Sequence, residues 1–443
     1  MTDPAVAVER RPWPRAALWL AALGALFFSS YNTANWLASQ RAHVPSIVFG
    51  WESAVPYWPW TIVPYWSIDL FYCASLFICA TRRELDTHAR RLLAVQIISV
   101  TIFIIAPLRC TFVRPETTGL FGALLDALLL FDKPFNQAPA LHISLLVVLW
   151  VRYLAHLRGA WRLALHGWFA LIGISVLTTY QHQFFDIPTG LWVGWFCVWL
   201  FPDHGPSPLA GVRLTCDARR RQLAMRYLAG TTAFATLALI AGGWALWLLW
   251  PAGALLLVAA LYASLGAEAF QKSADGSLSA ATRWLLMPYL LGARLNAWWW
   301  TRNEHGVNAV TPQLWIGRLP TGSGPPPAAV GAVVDLCAEL PCNLHGRAYA
   351  TVPALDLVPM NTAVLERAAR AIDSAMAHGP VLVCCALGYS RSAAAAAAWL
   401  IVHGLAASAV AAVSLIRAAR PQIVLGKEQL RALDALAAQC RQP

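Results

Sequence analysis

Charge is scarce in this chain. Only 12% of its 443 residues are Asp, Glu, Lys or Arg, against 58% hydrophobic ones. That balance is far from a soluble average, so much of the chain belongs in a bilayer and the water-exposed part is a minority. The ten cysteines include no CxxC pair and no disulfide-like framework. Scattered through apolar runs and the C-terminal third, they read as reduced thiols. Neither HExxH nor paired Cys/His spacing occurs, so no metal and no other cofactor is expected. A nucleic-acid module is also missing. The net charge of +11 comes from arginine clusters between apolar runs rather than from one basic face, which fits anionic lipid and membrane topology better than nucleic acid. No cleavable signal peptide is evident, since the first apolar run is long, follows "RRPWPR" and lacks a small-residue cleavage site.

What the chain has is apolar length. Eight segments, near 16 to 35, 61 to 80, 91 to 108, 139 to 157, 161 to 179, 187 to 201, 227 to 249 and 252 to 270, are long enough or nearly so to span a hydrocarbon core, which needs about 20 helical residues. The 22 tryptophans and 11 tyrosines suit the interfaces, and "WESAVPYWPWTIVPYW" reads as an aromatic belt. Arginines set the orientation. Arg10, Arg11 and Arg15 precede the first span, Arg82, Arg83, Arg90 and Arg91 follow the second, and Arg152, Arg158 and Arg162 flank the fourth-to-fifth turn. These ends are expected in the cytoplasm, with both termini, in a multi-pass protein of the inner cell membrane. "WLLMPYLLGARLNAWWWTR", interrupted by Pro288 and Arg294, reads as an interfacial helix. From about residue 303 the pattern becomes α/β, with strands expected at "AVVDL", "YATVPAL" and "PVLVCC".

The last strand delivers Cys385 to the loop "ALGYS", after which "RSAAAAAAWLIVHG" starts a helix. Strand, loop and helix N-terminus make an anion site: loop N–H groups and the positive helix end surround a phosphate, and the same field favours thiolate at Cys385. Arg391 supplies a planar fork for two phosphate oxygens. Gly388 permits close backbone approach, and the Ser392 hydroxyl can donate to the departing sulfur. Asp356, 29 residues before Cys385, is the candidate acid for the leaving alkoxide. The segment from about 299 to 437 resembles the dual-specificity, cysteine-dependent phosphatases of the protein tyrosine phosphatase type. The resemblance implies Cys385 as nucleophile, Arg391 as phosphate-binding arginine, Ser392 as the residue after it and Asp356 as general acid. "WTRNEHGVNAVTPQLWIGRLP" is similar to the opening segment of members acting on lipid or carbohydrate phosphates. The histidine usual before the nucleophile is Cys384 here.

Polar residues at membrane depth are costly and usually functional. His142 lies in "APALHISLL", His182 and Asp186 in "TTYQHQFFDIPTG", and Arg109 and Arg114 in "LRCTFVRPE". By the topology above all three clusters face the noncytoplasmic side. A histidine attacking phosphorus needs an acid for the leaving oxygen, a carboxylate to orient its ring and cations to hold the phosphate. Residues about 90 to 200 resemble the type 2 phosphatidic acid phosphatase superfamily, especially its inositolphosphotransferase-like branch, through "FVRPE", "PALHIS" and "SVLTTYQHQFFD". That resemblance implies His182 as nucleophile, Asp186 as its partner, His142 as acid and Arg114 as phosphate ligand. Two of its cations are replaced by Pro107 and Val176, and Arg109 is a candidate substitute.

Together these readings give a polytopic helical membrane domain of about eight spans, its core a six-helix phosphatidic acid phosphatase-like bundle, joined to a C-terminal α/β cysteine-phosphatase domain. The expected division is 1–205 for the phosphatidic acid phosphatase-like region, 206–275 for two further spans and a polar linker, 276–302 for the interfacial helix and 303–443 for the phosphatase. Phosphorylated membrane lipids are the expected substrates. Alternative readings are a lipid headgroup transferase with an attached phosphatase, a phosphoprotein phosphatase and a phosphate-binding sensor.

Overall fold

The apolar runs fold as helices in a computed structural model that describes residues 10–130, 132–304, 306–322 and 324–441. His305 of the Trp-rich opening segment and Ser323 of the "GSGPPP" loop lie outside the described residues. The chain divides into two compact units. One runs to Ser207 and includes Gly242–Trp244; the other comprises Pro208–Ala241 and Ala245 onward.

The first unit contains α1 (Trp13–Ser39), α2 (Ile62–Phe77), α3 (Arg82–Ile105), α4 (Gly119–Leu129), α5 (Leu141–His156), α6 (Ala160–Thr178) and α7 (Asp186–Leu200). Its tightest approach is between α5 and α7. A Cβ built on Gly190 would lie 2.7 Å from the Ala140 carbonyl oxygen, and one on Gly194 2.7 Å from Val147 Cβ. Two glycines four residues apart thus let one backbone rest on the other, as small residues do between helices in lipid. Ser144 Oγ donates to the Gly190 carbonyl at 3.0 Å across the same seam. Two of the arginines that suggested orientation are internal: Arg91 reaches Asp203 at 3.0 Å, and Arg152 pairs with Glu84 and with Asp203. Burial makes them part of the packing as well as of any topology signal.

The second unit opens with α8 (Ala218–Ala241) and α9 (Leu249–Ala260), the latter continued by a π-helical turn at Leu261–Leu265. Among the described residues four helical stretches are long and apolar enough to cross a membrane: Arg82–Ile105, Ala160–Thr178, Ala218–Ala241 and Gly243–Leu265. Of the other expected spans, α2 and α5 have 16 residues and α7 has 15. Sixteen residues rise about 24 Å, short of a hydrocarbon core of about 30 Å. The expected interfacial segment forms α10 (Ala280–Leu285) and α11 (Met287–Thr301), with Pro288 in the first turn of α11, where its missing N–H costs nothing. Trp298, Trp299 and Trp300 are each about three-fifths exposed, and Arg302 lies over the Trp299 ring at 3.7 Å.

Among the described residues the α/β domain has five strands, two more than the sequence patterning indicated: β1 (Val307–Ala309), β2 (Leu314–Arg318), β3 (Ala332–Cys337), β4 (Ala348–Ala354) and, after α12 (Thr362–Met376), β5 (Val381–Cys385). Their order is β1-β2-β5-β3-β4, with β1 antiparallel to β2 and all other pairs parallel. The short β1–β2 pair carries little periodicity, which is why it escaped notice. β5 is central, paired on both sides and buried at all five residues, as its unbroken apolar run requires. Beyond it come α13 (Arg391–Val402), α14 (Ala409–Ala419) and α15 (Lys427–Arg441). The six alanines Ala393–Ala398 are all fully buried in the core with α12, α14 and α15 around them. Alanine is what lets α13 pack on every side. We therefore expect Ala396→Leu to destabilise this domain by about 1–3 kcal/mol through overpacking, read as a lower denaturation midpoint in detergent.

Candidate active site

Parallel strands end on one edge of the sheet, and ligands to such sheets sit beyond their carboxyl ends where the strand order reverses. Here that place is the end of β5. Cys385 is its last residue, Glu339 follows β3 and Asp356 follows β4. Leu319 donates its backbone N–H to the Cys385 carbonyl at 2.8 Å, fixing the strand end against β2. The loop then turns through Gly388, which has φ +76° and whose added Cβ would lie 2.3 Å from the Gly317 carbonyl carbon. Neither the conformation nor the space admits a side chain. In return the Gly388 N–H points at Cys385 Sγ, 3.3 Å away, and Ser392 Oγ lies 3.4 Å from the same sulfur. Both groups can donate hydrogen bonds to the sulfur.

Arg391, first residue of α13, is 4% exposed and makes a two-pronged bond to Glu339, with Nη1–Oε2 at 2.8 Å and Nη2–Oε1 at 2.6 Å. Nη1 also donates to the Ala354 carbonyl at 2.9 Å, and Nη2 lies 3.1 Å from Asp356 Oδ1. Glu339 was not singled out in the sequence; its only signal is an acid directly after the strand that neighbours β5. Burial alone would raise its carboxyl, but the Arg391 charge and both hydrogen bonds hold it below the usual range. Asp356 differs. Its side chain keeps 40% exposure, yet burial of the carboxyl by surrounding protein, reinforced by the Glu339 charge, pushes it above the ordinary value despite Arg391. One carboxylate thus locks the guanidinium while the other stays solvent-reachable and easier to protonate, the division of labour an acid next to an anion-binding arginine needs.

Arg420 was likewise missed. It is 1% exposed and donates to the carbonyls of Gly388 at 2.9 Å and Leu387 at 3.2 Å and to Asn308 Oδ1 at 2.7 Å, tying the loop's outer side to β1. With those carbonyls turned toward Arg420, the loop's N–H groups are left for the interior. Cys384, beside Cys385, sits on the other face of the sheet in a cluster with Cys337, Cys342 and Leu382. Burial holds its thiol well above the ordinary value, so it stays protonated. Asp335, paired with it across the strands, is neutralised by Lys272 and takes a 3.0 Å hydrogen bond from Tyr349.

The membrane histidines are in the other unit. His182 Nδ1 lies 3.1 Å from Asp186 Oδ2, which also accepts from the Gln183 N–H at 3.0 Å, so Nε2 is the ring nitrogen of His182 not engaged by Asp186. His142 stacks on Tyr65 at 4.0 Å and places Nε2 2.9 Å from the Tyr65 carbonyl. His142 and His182 line one cavity of about 60 Å³ together with Asp69, Asp132, Tyr31 and Asn136. The α5–α7 glycine seam brings them there, aided by the Ala140 N–H donating to the Asp186 carbonyl at 3.0 Å. The expected cations are elsewhere. Arg114 pairs with Asp126 at 2.5 Å, and neither it nor Arg109 is among the residues lining the cavity. Arg114 departs because Asp126, on α4, offers a carboxylate close by on the chain.

Residues 328–439 match the family model of the dual specificity phosphatase catalytic domain. The C-terminal domain is therefore a dual-specificity phosphatase catalytic domain, and the chain is a phosphoric monoester hydrolase. Among solved structures, similarity is found to PTPMT1 in complex with PI(5)P (20% identity over 31% of this chain and 97% of that one, TM-score 0.28). Human DUSP28 is similar at 27% identity over 30% of this chain and 95% of that one, TM-score 0.28. Tk-PTP in its active form is similar at 24% identity over 30% and 97%, TM-score 0.27. No curated protein matches the chain.

Two outcomes follow from the geometry. Gly388→Ala should reduce phosphatase turnover at least about 100-fold, because the Cβ displaces the N–H that faces the sulfur. An acid must be protonated to act, so on esters with poor leaving groups the rate should fall as pH rises through the Asp356 pKa. Burial places that limb above the position of an ordinary aspartate, and Asp356→Asn should remove it from the pH–rate profile.

Proposed function

We propose that this chain is a membrane-bound phosphatase whose Cys385 site removes phosphate from lipid phosphates at the inner face of the membrane. The observation that carries the proposal is that the Cys385 domain and α8–α9 belong to one compact unit, and that hairpin supplies two of the stretches apolar enough to cross a membrane. A phosphatase so joined to lipid meets membrane-confined substrates at high local concentration. The exposed Trp298–Trp300 run, with Arg302 stacked on Trp299, suits an interface with anionic headgroups. In chemical terms, the Cys385 thiolate forms a bond to phosphorus as the P–O bond breaks, and Asp356 gives its proton to the departing alkoxide. Water then attacks the cysteinyl phosphate while Asp356 takes its proton, and sulfur leaves with Ser392 donating to it. Arg391 holds the phosphate oxygens. A bound phosphate competes with Asp356 for Nη2, and losing that cation helps the carboxyl keep its proton until the alkoxide departs.

A second reading concerns the noncytoplasmic side. In the proposed division, residues 1–205 form a phosphatidic acid phosphatase-like region, 206–275 add two spans, 276–302 lie at the interface and 303–443 hold the phosphatase, with about eight spans and both termini in the cytoplasm. His182, oriented by Asp186 and sharing its cavity with His142, would act there on phosphorus independently of Cys385. The cavity's Asp69 and Asp132 can accept hydrogen bonds from the hydroxyl of water or of an acceptor alcohol, so transfer of a lipid headgroup is the alternative to hydrolysis there.

The test is a panel of lipid phosphates, assayed in vesicles with wild type, Cys385→Ser and His182→Ala. Cys385→Ser should lose more than 99% of phosphate release, and His182→Ala should retain it, in line with the roughly 100-fold or greater cost of losing a nucleophile. Near-wild-type turnover by Cys385→Ser would remove the thiol mechanism. Replacing Trp298, Trp299 and Trp300 by Ala should slow hydrolysis in vesicles more than that of a small soluble ester; equal losses would assign the tryptophans to the fold.

A further inference from the structure

The general-acid loop is held from outside the phosphatase domain. Asp356 and Leu357 follow β4 directly, and neither side chain is packed in the core of that domain: Asp356 keeps 40% exposure and Leu357 58%. Leu357 has φ +58°, a conformation rarely taken by a residue with a branched side chain, and one that persists only where surroundings impose it. Those surroundings are the α8–α9 hairpin. Tyr262, 1% exposed, donates its hydroxyl to the Asp356 carbonyl at 3.0 Å. Arg219 Nε donates to the Leu357 carbonyl at 3.3 Å. Two consecutive carbonyls of the loop thus take their hydrogen bonds from a hairpin apolar enough to cross a membrane.

The hairpin is built to present that hydroxyl. Tyr262 lies in the π-helical turn Leu261–Leu265, a distortion frequent at functional sites because it re-aims side chains out of helical register. Arg220 secures the turn by donating to the Tyr262 carbonyl at 3.0 Å and the Leu261 carbonyl at 3.4 Å. The chain before α8 pairs with the same turn, through Thr215 N–H to Ala263 O at 2.9 Å and Arg213 N–H to Ser264 O at 3.2 Å. The Tyr262 ring packs against Tyr227 of α8 at 5.3 Å, and Tyr227 against Tyr289 of α11 at 5.9 Å. The Tyr262 ring is thus held by Tyr227, which Tyr289 backs in turn, and its hydroxyl ends on the acid loop.

We propose that Tyr262 is the positioning residue for the general acid, with Arg219 as its auxiliary, so that α8–α9 works as part of the phosphatase as well as its anchor. The inference rests on the reading of Asp356 as general acid. Tyr262 touches no reacting atom; it fixes the backbone from which the Asp356 carboxyl reaches the leaving oxygen. Misplacing an acid by a fraction of an ångström matters where the leaving group needs a proton and hardly at all where it does not. Nitrophenolate leaves unaided, whereas an alkoxide such as that of a glycerol phosphate does not.

Full-length protein in lipid nanodiscs, with wild type, Tyr262→Phe, Arg219→Gln and Asp356→Asn compared, tests it. Tyr262→Phe keeps the ring packing and removes only the donated bond. It should lower kcat on an alkyl phosphate about tenfold, a fraction of what a whole general acid contributes, while leaving kcat on 4-nitrophenyl phosphate within about twofold. The high-pH limb of the alkyl phosphate profile should flatten toward that of Asp356→Asn. Arg219→Gln should show the same selectivity to a smaller degree. An equal loss on both substrates, or an alkyl phosphate rate and pH limb unchanged in Tyr262→Phe while Asp356→Asn loses both, would overturn the positioning role alone. If Asp356→Asn itself keeps wild-type leaving-group dependence, the acid assignment falls and the inference falls with it.

Discussion

The buried pair between Arg391 and Glu339 is what the rest of the phosphatase site depends on. Both side chains are about 4% exposed, and each is the other's main compensation for leaving water. Removing one partner of such a pair costs about 3–5 kcal/mol, because the survivor stays buried and charged. The geometry repays that risk with direction: two parallel bonds fix the guanidinium plane, and the same two nitrogens reach the Ala354 carbonyl and Asp356. β3, β5 and α13 meet at this one contact. The alanine face of α13 has to pack closely for Arg391 to reach Glu339, and Gly388 has to lie on Gly317 for the loop to close around the sulfur.

How much of this was legible in the sequence follows from the range of each interaction. The strand ending in Cys385, the five-residue loop and the helix from Arg391 are contiguous, and the strand and helix periods show them directly. Asp356 could be found because the resemblance of the segment to the cysteine-dependent phosphatases calls for an acid upstream of the nucleophile. Glu339 stands equally two residues beyond its strand, but its role, like that of Arg420, comes from a partner far along the chain, 52 residues for Glu339 and 32 for Arg420. The β1–β2 pair was invisible for another reason: three and five residues carry too little alternation, and β2 is a strand because β5 needs a second parallel neighbour.

In the helical unit the same contrast holds. His182, in the turn before α7, and Asp186, the first residue of α7, are four positions apart, so their contact is local. The shared cavity is not, since it depends on Gly190 and Gly194 letting α7 settle on α5. Arginine is the residue type whose partners the sequence does not show. Read along the chain, Arg114 belongs to a phosphate-binding pattern and Arg91 and Arg152 to a cytoplasmic flank, but each has a carboxylate partner in the fold. An arginine in an apolar protein satisfies its charge first with whichever acid the helices bring near.

The two carboxylates of the thiol site also explain why one is supported from within and the other from without. Glu339 is fully paired and buried just beyond β3, and the Arg391 charge holds its carboxyl below the usual range. Asp356, in the proposed role of general acid, would protonate, release and re-form a bond in each turnover, and its side chain has the 40% exposure that such exchange needs. An exposed loop residue is ordinarily mobile, and mobility would spoil an acid's aim. Holding the backbone while freeing the carboxyl resolves the conflict, and the Asp356 and Leu357 carbonyls are the groups that Tyr262 and Arg219 engage. The apolar hairpin and the thiol site are therefore linked by backbone hydrogen bonds at the loop that carries Asp356, whose carboxylate is held in turn by Arg391 of the phosphatase core.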